Sequence, residues 1–355
     1  MRKPPTLREA SGRVRHASRA MRAFSCPACG RLVTFESSHC LQCGCDLGFD
    51  WDAREIVALG ERARCAGHEL ARCNAIAAAD GAWCASCALT RGRPADDDHA
   101  GLRGFVHAEA AKRRLVFELG ELGLPVVGWR ERDGAIAFDL LSNSSEAVST
   151  GHAGGVITLD LGEADAAQRE RRRIELGEPY RTVLGHLRHE IAHYYQDILA
   201  PEGSARREAC RALFGDDRAD YAAAMAHHYE HGAPAGWEAD HVSAYATMHP
   251  WEDWAETFAH YLHIRDTLQT AEAHGVRVDG PRVPTTDSAP LHCYPEAPAG
   301  DLHALIAAWL PLTYALNAIN RSMGAADVYP FVLTARVQRK LEFVDRCVQA
   351  WPHET

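Results

Sequence analysis

His189-Glu190-Ile191-Ala192-His193 lies inside a run, Arg181 to Leu199, whose apolar spacing predicts a helix. Positions i and i+4 of a helix share a face, so His189 and His193 can hold one Zn2+ between them. Glu190 then stands one step round, beside the metal's open position. This is the H-E-x-x-H arrangement of zinc peptidases. In a chain of 355 residues with 20 His, composition alone yields such a match at an appreciable rate. The reading therefore depends on what surrounds the motif.

A peptidase zinc needs three protein ligands and keeps one position for water. Downstream, His249-Pro250-Trp251-Glu252-Asp253-Trp254-Ala255-Glu256 begins a second helix, its start marked by Pro250 and by acidic residues in the first turn. Glu252 and Glu256 fall four apart on one face of an otherwise aromatic helix. Two carboxylates there are costly to bury unless a cation compensates. Glu252 is expected as the third ligand, and Glu256 as a partner that holds a ligand imidazole by its other N–H. The alternative is an amphipathic helix with both carboxylates in solvent. His186, one turn before His189, offers a three-imidazole geometry instead. His260 and His263 read as a surface or packing pair. Arg188 reads as half of a structural ion pair, or as a binder of a substrate carboxylate.

Nine of the twelve Cys fall between Cys26 and Cys87. Cys26-Pro27-Ala28-Cys29-Gly30 and Cys40-Leu41-Gln42-Cys43-Gly44 are two C-x-x-C-G turns separated by ten residues, in which Gly lets the backbone curl its amides toward thiolate sulfurs. They describe a four-thiolate zinc ribbon on Cys26, Cys29, Cys40 and Cys43, with Cys45 left spare. Cys65, Cys73, Cys84 and Cys87 suggest a second structural zinc, with His68 able to replace one thiolate; the alternative is a set of buried thiols. Cys210, Cys293 and Cys347 are scattered and read as structural thiols. The expected complement is one catalytic zinc and one or two structural zincs, in a reducing cytoplasm.

The chain divides into a basic leader (1–23), the Cys-rich module (24–93), a linker (94–101) and a metallopeptidase region (102–355). The Arg- and Ser-rich leader loosely resembles an organelle transit peptide; the simpler readings are a disordered tail or a true start at Met21. Ala108 to Leu122 is helical, with Ala111, Leu115, Leu119 and Leu122 on one face. Val126 to Trp129 and Ala135 to Leu140 flank Asp133-Gly134 and read as a hairpin. Gly155 to Leu161 is a further strand, and Val156 to Leu161 is the expected edge for an extended substrate. Helical pattern dominates after Asp165, interrupted by a Pro-rich crossover from Gly280 to Gly300, and closes with Asp301 to Asn320 and Phe331 to Trp351. The fold class is α+β: a zinc-ribbon module, then a mainly helical zincin-type domain with a small sheet. The cluster Asp216, Asp217 and Asp220 reads as capping, with calcium binding a weaker option. Asn317, Asn320, Arg321 and Ser322 either line a cleft or end their helix. A net charge of −10 with scattered Arg makes nucleic acid an unlikely partner. Without a run of about 18 apolar residues, no membrane-spanning helix is expected.

The H-E-x-x-H paired with Glu252-x-x-Ala255-Glu256 on a later helix resembles the gluzincin class of zinc peptidases. In its lethal-factor-like branch a Tyr seven residues before the ligand Glu reaches the active site, and Tyr245 stands seven before Glu252. The whole plan resembles a bacterial family of zinc-binding metallopeptidases with an N-terminal zinc ribbon. The likeness is carried by Cys26 to Gly30, Gly185-His186-Leu187-Arg188-His189-Glu190, His249 to Glu256, and Asn320-Arg321-Ser322-Met323-Gly324. It covers Phe24 to the C-terminus and leaves the leader outside. The resemblance implies a zinc-dependent peptidase acting on a peptide or protein. His189, His193 and Glu252 would be ligands, Glu190 the general base, and Tyr245 a donor to the oxyanion. The rivals are an idle, protein- or nucleic-acid-binding adaptor, a protease linked to nucleic acid, and a hydrolase of some non-protein amide. An idle site has no chemical use for Glu190.

Overall fold

The computed structural model describes residues 23–143, 148–165, 169–171, 182–280, 292–293 and 301–354. The leader and most of the Pro-rich crossover lie outside the described residues. Each C-x-x-C-G turn closes on its glycine, Gly30 N–H donating to the Cys26 carbonyl (2.8 Å) and Gly44 N–H to that of Cys40 (2.9 Å). Both glycines sit at positive φ, +70° and +73°, where a side chain would strain the turn. Short antiparallel pairs frame these turns: β1 (Phe24–Ser25) with β2 (Leu32–Val33), and β3 (Leu47–Asp50) with β4 (Glu55–Ala58). Their apolar side chains gather into an aromatic core of Phe24, Phe35 and Phe49. Phe117, from helix α1 (His99–Glu121), completes it. The ribbon thus shares a core with the region that follows.

The chain leaves the Cys-rich region through β5 (Thr90–Gly92), which enters the main sheet directly beside β6 (Ala137–Leu141). Helix α1 starts at His99, inside the stretch expected as linker, because the Asp98 carboxylate caps it by accepting from Gly101 N–H at 2.8 Å. The sheet order is β5-β6-β8-β7, with β6 and β8 (Val156–Asp160) parallel and β7 (Gly151–Ala153) antiparallel to β8.

Two strand expectations are corrected. The segments around Asp133-Gly134 do not form a hairpin; they meet in a parallel bridge, Gly128 with Ile136. A preceding turn, in which Glu131 and Arg132 N–H groups donate to the Gly128 carbonyl, reverses the chain before Gly134 reverses it again. The strand Val156–Asp160 is not an edge, because β7 lies outside it. The hairpin is formed instead by Gly154-Gly155, both at positive φ as a two-residue β-turn requires.

Five further helices follow the motif helix α2 (Val183–Leu199): α3 (Ala205–Phe214), α4 (Tyr221–His231), α5 (Pro250–Ala273), α6 (Leu302–Ser322) and α7 (Ala335–Glu354), counted among the described residues. Helix α5 lies along α2 through Tyr195, Trp254 and Phe258, all fully buried. The Trp254 indole N–H donates to the Ala192 carbonyl at 2.9 Å and sets their register. Arg188 joins three helices, donating to Glu118 of α1 (3.0 Å) and Asp266 of α5 (2.6 Å); this is its structural role. Lys340 of α7 reaches Asp253 of α5 at 2.5 Å. His260 is buried against Tyr329 and Phe331, so it packs and is not a surface residue.

Asp217 pairs with Arg207 and Arg211, Asp216 with Arg218, and Asp220 caps α4. Asn317 and Arg321 fasten the chain after α6 by bonding the Tyr329 carbonyl (2.8 Å) and Asp327 (2.6 Å). That engagement makes them the end of a helix and the brace of its loop. Among the described residues α6 is the one helix long and apolar enough to cross a membrane by length and composition. Leu305, Ile306, Trp309 and Leu312 nevertheless bury its inner face in the core.

Candidate metal centre

Helix α2 is started by Thr182, whose hydroxyl oxygen accepts from Gly185 N–H at 3.0 Å. That start puts His189, Glu190 and His193 on the stretch of α2 that faces the first turn of α5. There His249 is the cap, its Nδ1 accepting from Trp251 N–H at 3.1 Å, and Pro250 fills the first helical position. The two helix geometries deliver Glu252 to the imidazoles. Its Oε2 stands 2.8 Å from His189 Nε2 and 3.6 Å from His193 Nε2. One ligand atom from each of the three lies within 4.8 Å of the other two.

Around this trio the other atoms are arranged as a metal centre requires. His189 Nδ1 donates to Glu256 Oε1 at 2.7 Å, and the Ser243 hydroxyl donates to Glu256 Oε2 at 2.6 Å. A ligand imidazole held by its second nitrogen is oriented, and its free nitrogen is made more basic. Glu252 is 2% exposed, and its Oε2 makes no well-directed hydrogen bond, whereas its Oε1 accepts from the Tyr221 hydroxyl at 3.0 Å. A buried carboxylate oxygen without a donor is costly, and a cation between the three ligand atoms removes that cost. The residues therefore fit Zn2+. The His193 ring lies tilted against Trp251 with ring centres 3.8 Å apart, and the His152 ring of edge strand β7 lies 6.1 Å from it. Tyr245 sits 5.8 Å, ring to ring, from His189. His186 lies beside Glu163 (3.8 Å) and is not in the group that could hold the ion.

The electrostatics are those of a buried, acidic site. Burial opposes charge on His189, yet Glu252 and Glu256 hold its imidazolium well above the ordinary range. Burial would raise Glu252, but the two imidazoles win and keep it far below. Glu190, 9% exposed, has no direct partner of that kind; burial raises its carboxyl, and the imidazoles offset this only in part. Burial and the Glu252 charge push the Tyr245 phenol far up, so it stays a donor.

The two thiolate clusters are equally definite. Four sulfurs placed tetrahedrally about 2.3 Å from a zinc stand roughly 3.8 Å apart. Cys26 and Cys43, Cys29 and Cys40, and Cys73 and Cys84 are each separated by 3.7 Å, far beyond a disulfide bond. Cys65 and Cys87 complete the second group. Gly67 and Cys84 N–H groups donate to Cys65 Sγ, both at 3.3 Å. His68 is not in this group; its Nδ1 bonds the Cys73 carbonyl. Cys45 bonds the Asp46 carbonyl and is likewise outside. The backbone amides of Cys43 and Gln42 lower the Cys40 thiol to about 6.

Sequence reasoning passed over Tyr221, Ser243, Trp251 and His152. Ser243 stands two before Tyr245, and Trp251 one before Glu252; no spacing rule marks Tyr221 or His152.

The sequence model of a family described as "Putative zinc-binding metallo-peptidase" matches residues 101–347. The chain belongs to this zinc-binding metallopeptidase family. A zinc-ribbon domain model matches residues 23–98, a span that holds both thiolate clusters of the metallopeptidase. Among similar proteins are the uncharacterized proteins Rv2568c of Mycobacterium tuberculosis and Mb2598c of Mycobacterium bovis. Each is 49% identical over 334 residues, covering 92% of this chain and 95% of the relative. No solved structure matches the metallopeptidase.

Proposed function

We propose that this metallopeptidase hydrolyses peptide bonds, with His189, His193 and Glu252 as its zinc ligands. When bound, zinc supplies a Lewis acid that polarises a carbonyl and makes a water acidic near neutral pH. The protein's own part is proton handling and orientation. Glu190, with its carboxyl raised by burial, accepts the water's proton and returns it to the leaving amine. Tyr245 donates its hydroxyl to the oxyanion as the carbonyl carbon becomes tetrahedral. Glu256 and Ser243 hold His189 still. The substrate is an extended peptide or protein segment, laid against edge strand β7 by strand addition. The net charge of −10 disfavours nucleic acid as that partner, and eight clustered thiols suit a reducing cytoplasm.

One observation carries this reading: a buried carboxylate oxygen meets two imidazole nitrogens beside a second buried glutamate with no other task. In the Glu190→Gln variant, zinc content should be unchanged while kcat on a fluorogenic peptide or unfolded protein falls by about 10²–10⁴. Undiminished cleavage by that variant removes Glu190 from the reaction.

A further inference from the structure

Tyr221 opens α4, a helix none of whose residues is buried. Such a helix contributes little to the core, yet its first side chain reaches the metal centre. The Tyr221 hydroxyl donates to Glu252 Oε1 at 3.0 Å, on the oxygen that does not face the imidazoles. Its ring lies 5.3 Å from His249 and 5.7 Å from Trp251. The backbone before it is tied down as well. His249 Nδ1 accepts from Trp251 N–H, which leaves Nε2 carrying the proton, and that N–H donates to the Ala219 carbonyl at 3.1 Å. The cap of α5 therefore fixes the chain two residues ahead of Tyr221. On the other side, Asp220 caps α4 by accepting from Ala223 N–H at 3.0 Å.

The chemical need is specific. A carboxylate has two equivalent oxygens, and one that is free to rotate can present both to a metal. Doing so fills the position a hydrolytic zinc reserves for water. Glu252 Oε2 faces His189 and His193, while Oε1 is engaged by a phenol held from three directions.

We propose that Tyr221 is a positioning residue for the metal centre, which it serves by holding Glu252 to a one-oxygen attitude and so keeping the fourth position open. The proposal rests on the zinc reading above. Its test is Tyr221→Phe in the full chain, with zinc retained in both thiolate clusters. Loss of the third zinc to a chelator should become easier by about 10–100-fold, the usual cost of removing an outer partner of a ligand. With Co2+ in that site alone, the visible d–d absorption should weaken as the coordination number rises. With a peptide substrate, kcat should fall with KM little changed. Tyr221→Phe protein with parental zinc retention and an unchanged cobalt spectrum overturns the proposal alone. A parent protein with no zinc beyond the thiolate clusters overturns the metal reading and this proposal together.

Discussion

Replacing Phe117 with Ala should uncouple the ribbon from the metallopeptidase domain. Phe117 is 2% exposed and belongs to α1, yet its ring lies 5.4 Å from Phe35, 5.9 Å from Phe49 and 6.5 Å from Phe24. Truncating a buried Phe costs about 3–5 kcal/mol, from lost transfer free energy and the cavity left behind. The tilted and edge-on rings add about 0.5–1.5 kcal/mol per pair within that figure. A domain has only about 5–15 kcal/mol in total, so the expected loss is a large fraction of it. The remainder of this core is small: Phe24, Phe35, Leu47, Phe49 and Ile56 around one thiolate cluster. The loss should therefore appear first as release of the Cys26, Cys29, Cys40, Cys43 zinc. Urea unfolding followed by near-ultraviolet circular dichroism, with a chromophoric chelator reporting zinc, measures both. Phe117→Leu, which keeps most of the volume, should cost only about 1–2 kcal/mol. A Phe117→Ala protein destabilised by less than about 1 kcal/mol, with parental zinc release, would mean that the ribbon stands free of α1 and the reasoning is wrong.

Glu256→Ala leaves His189 Nδ1 without its acceptor and Ser243 without its carboxylate; zinc affinity at the His189 site, measured by chelator competition, should drop about 10–100-fold with the thiolate zincs retained. Parental affinity would show that Glu256 does not orient the ligand. Stability should also depend on pH through Glu118. Burial raises its carboxyl to about 8 despite Arg188, whereas in the unfolded chain it titrates near about 4.3. Between those values the folded protein keeps a proton that the unfolded chain has lost. This contribution is therefore whole below about pH 4 and is lost as the pH rises through 8. The thermal midpoint should decline from pH 5 to 8.5, and Glu118→Gln should flatten that decline; an unchanged slope counts against the assignment.

The parts of the structure legible in the sequence are those whose spacing carries chemistry. The i, i+4 imidazoles and the C-x-x-C-G turns are local patterns, and helix or turn geometry converts them into ligand sets without help from the rest of the fold. The Glu252–Glu256 pair was readable for a related reason: carboxylates in an aromatic helix call for compensation. The strands at Ala135 to Leu140 and Gly155 to Leu161 were legible, but their parallel pairing with each other and with β5 was not, because it depends on contacts remote in sequence. Helix α1 misled in another way. Its apolar stripe suggested a single buried face, but Glu109, Lys112, Arg113 and Glu118 are buried too. Lys112 bonds the Thr90 hydroxyl and reaches Glu109 at 2.6 Å. Charged residues that satisfy one another hide burial from any hydrophobicity pattern, and Phe117 among them gave no sign that it belonged to the ribbon. Tyr221 was invisible because its role depends on where α4 is anchored, 31 positions before the ligand it serves.

The charge balance of the centre favours the proposed hydrolase over an idle scaffold. Glu190, Glu252 and Glu256 converge on His189 and His193, and no Arg or Lys figures among the groups acting most strongly on any of the three carboxylates. Elsewhere in this protein a buried carboxylate is answered by a guanidinium or an ammonium, as Glu118 and Asp266 are by Arg188 and Asp253 is by Lys340. The fold thus has the means to set a basic side chain beside a buried acid and does not use it for these three. Without a metal, the counter-charge these acids draw on is a proton on an imidazole, which is why His189 is driven so far up. A divalent cation supplies twice that charge at the point where the ligand atoms converge, and it displaces the proton in doing so. A scaffold that needed only shape would be served better by apolar residues of similar volume, since buried charges with an incomplete set of partners cost stability. Retaining three acids around two imidazoles makes physical sense where one acid, Glu190, must stay available to take up and release a proton.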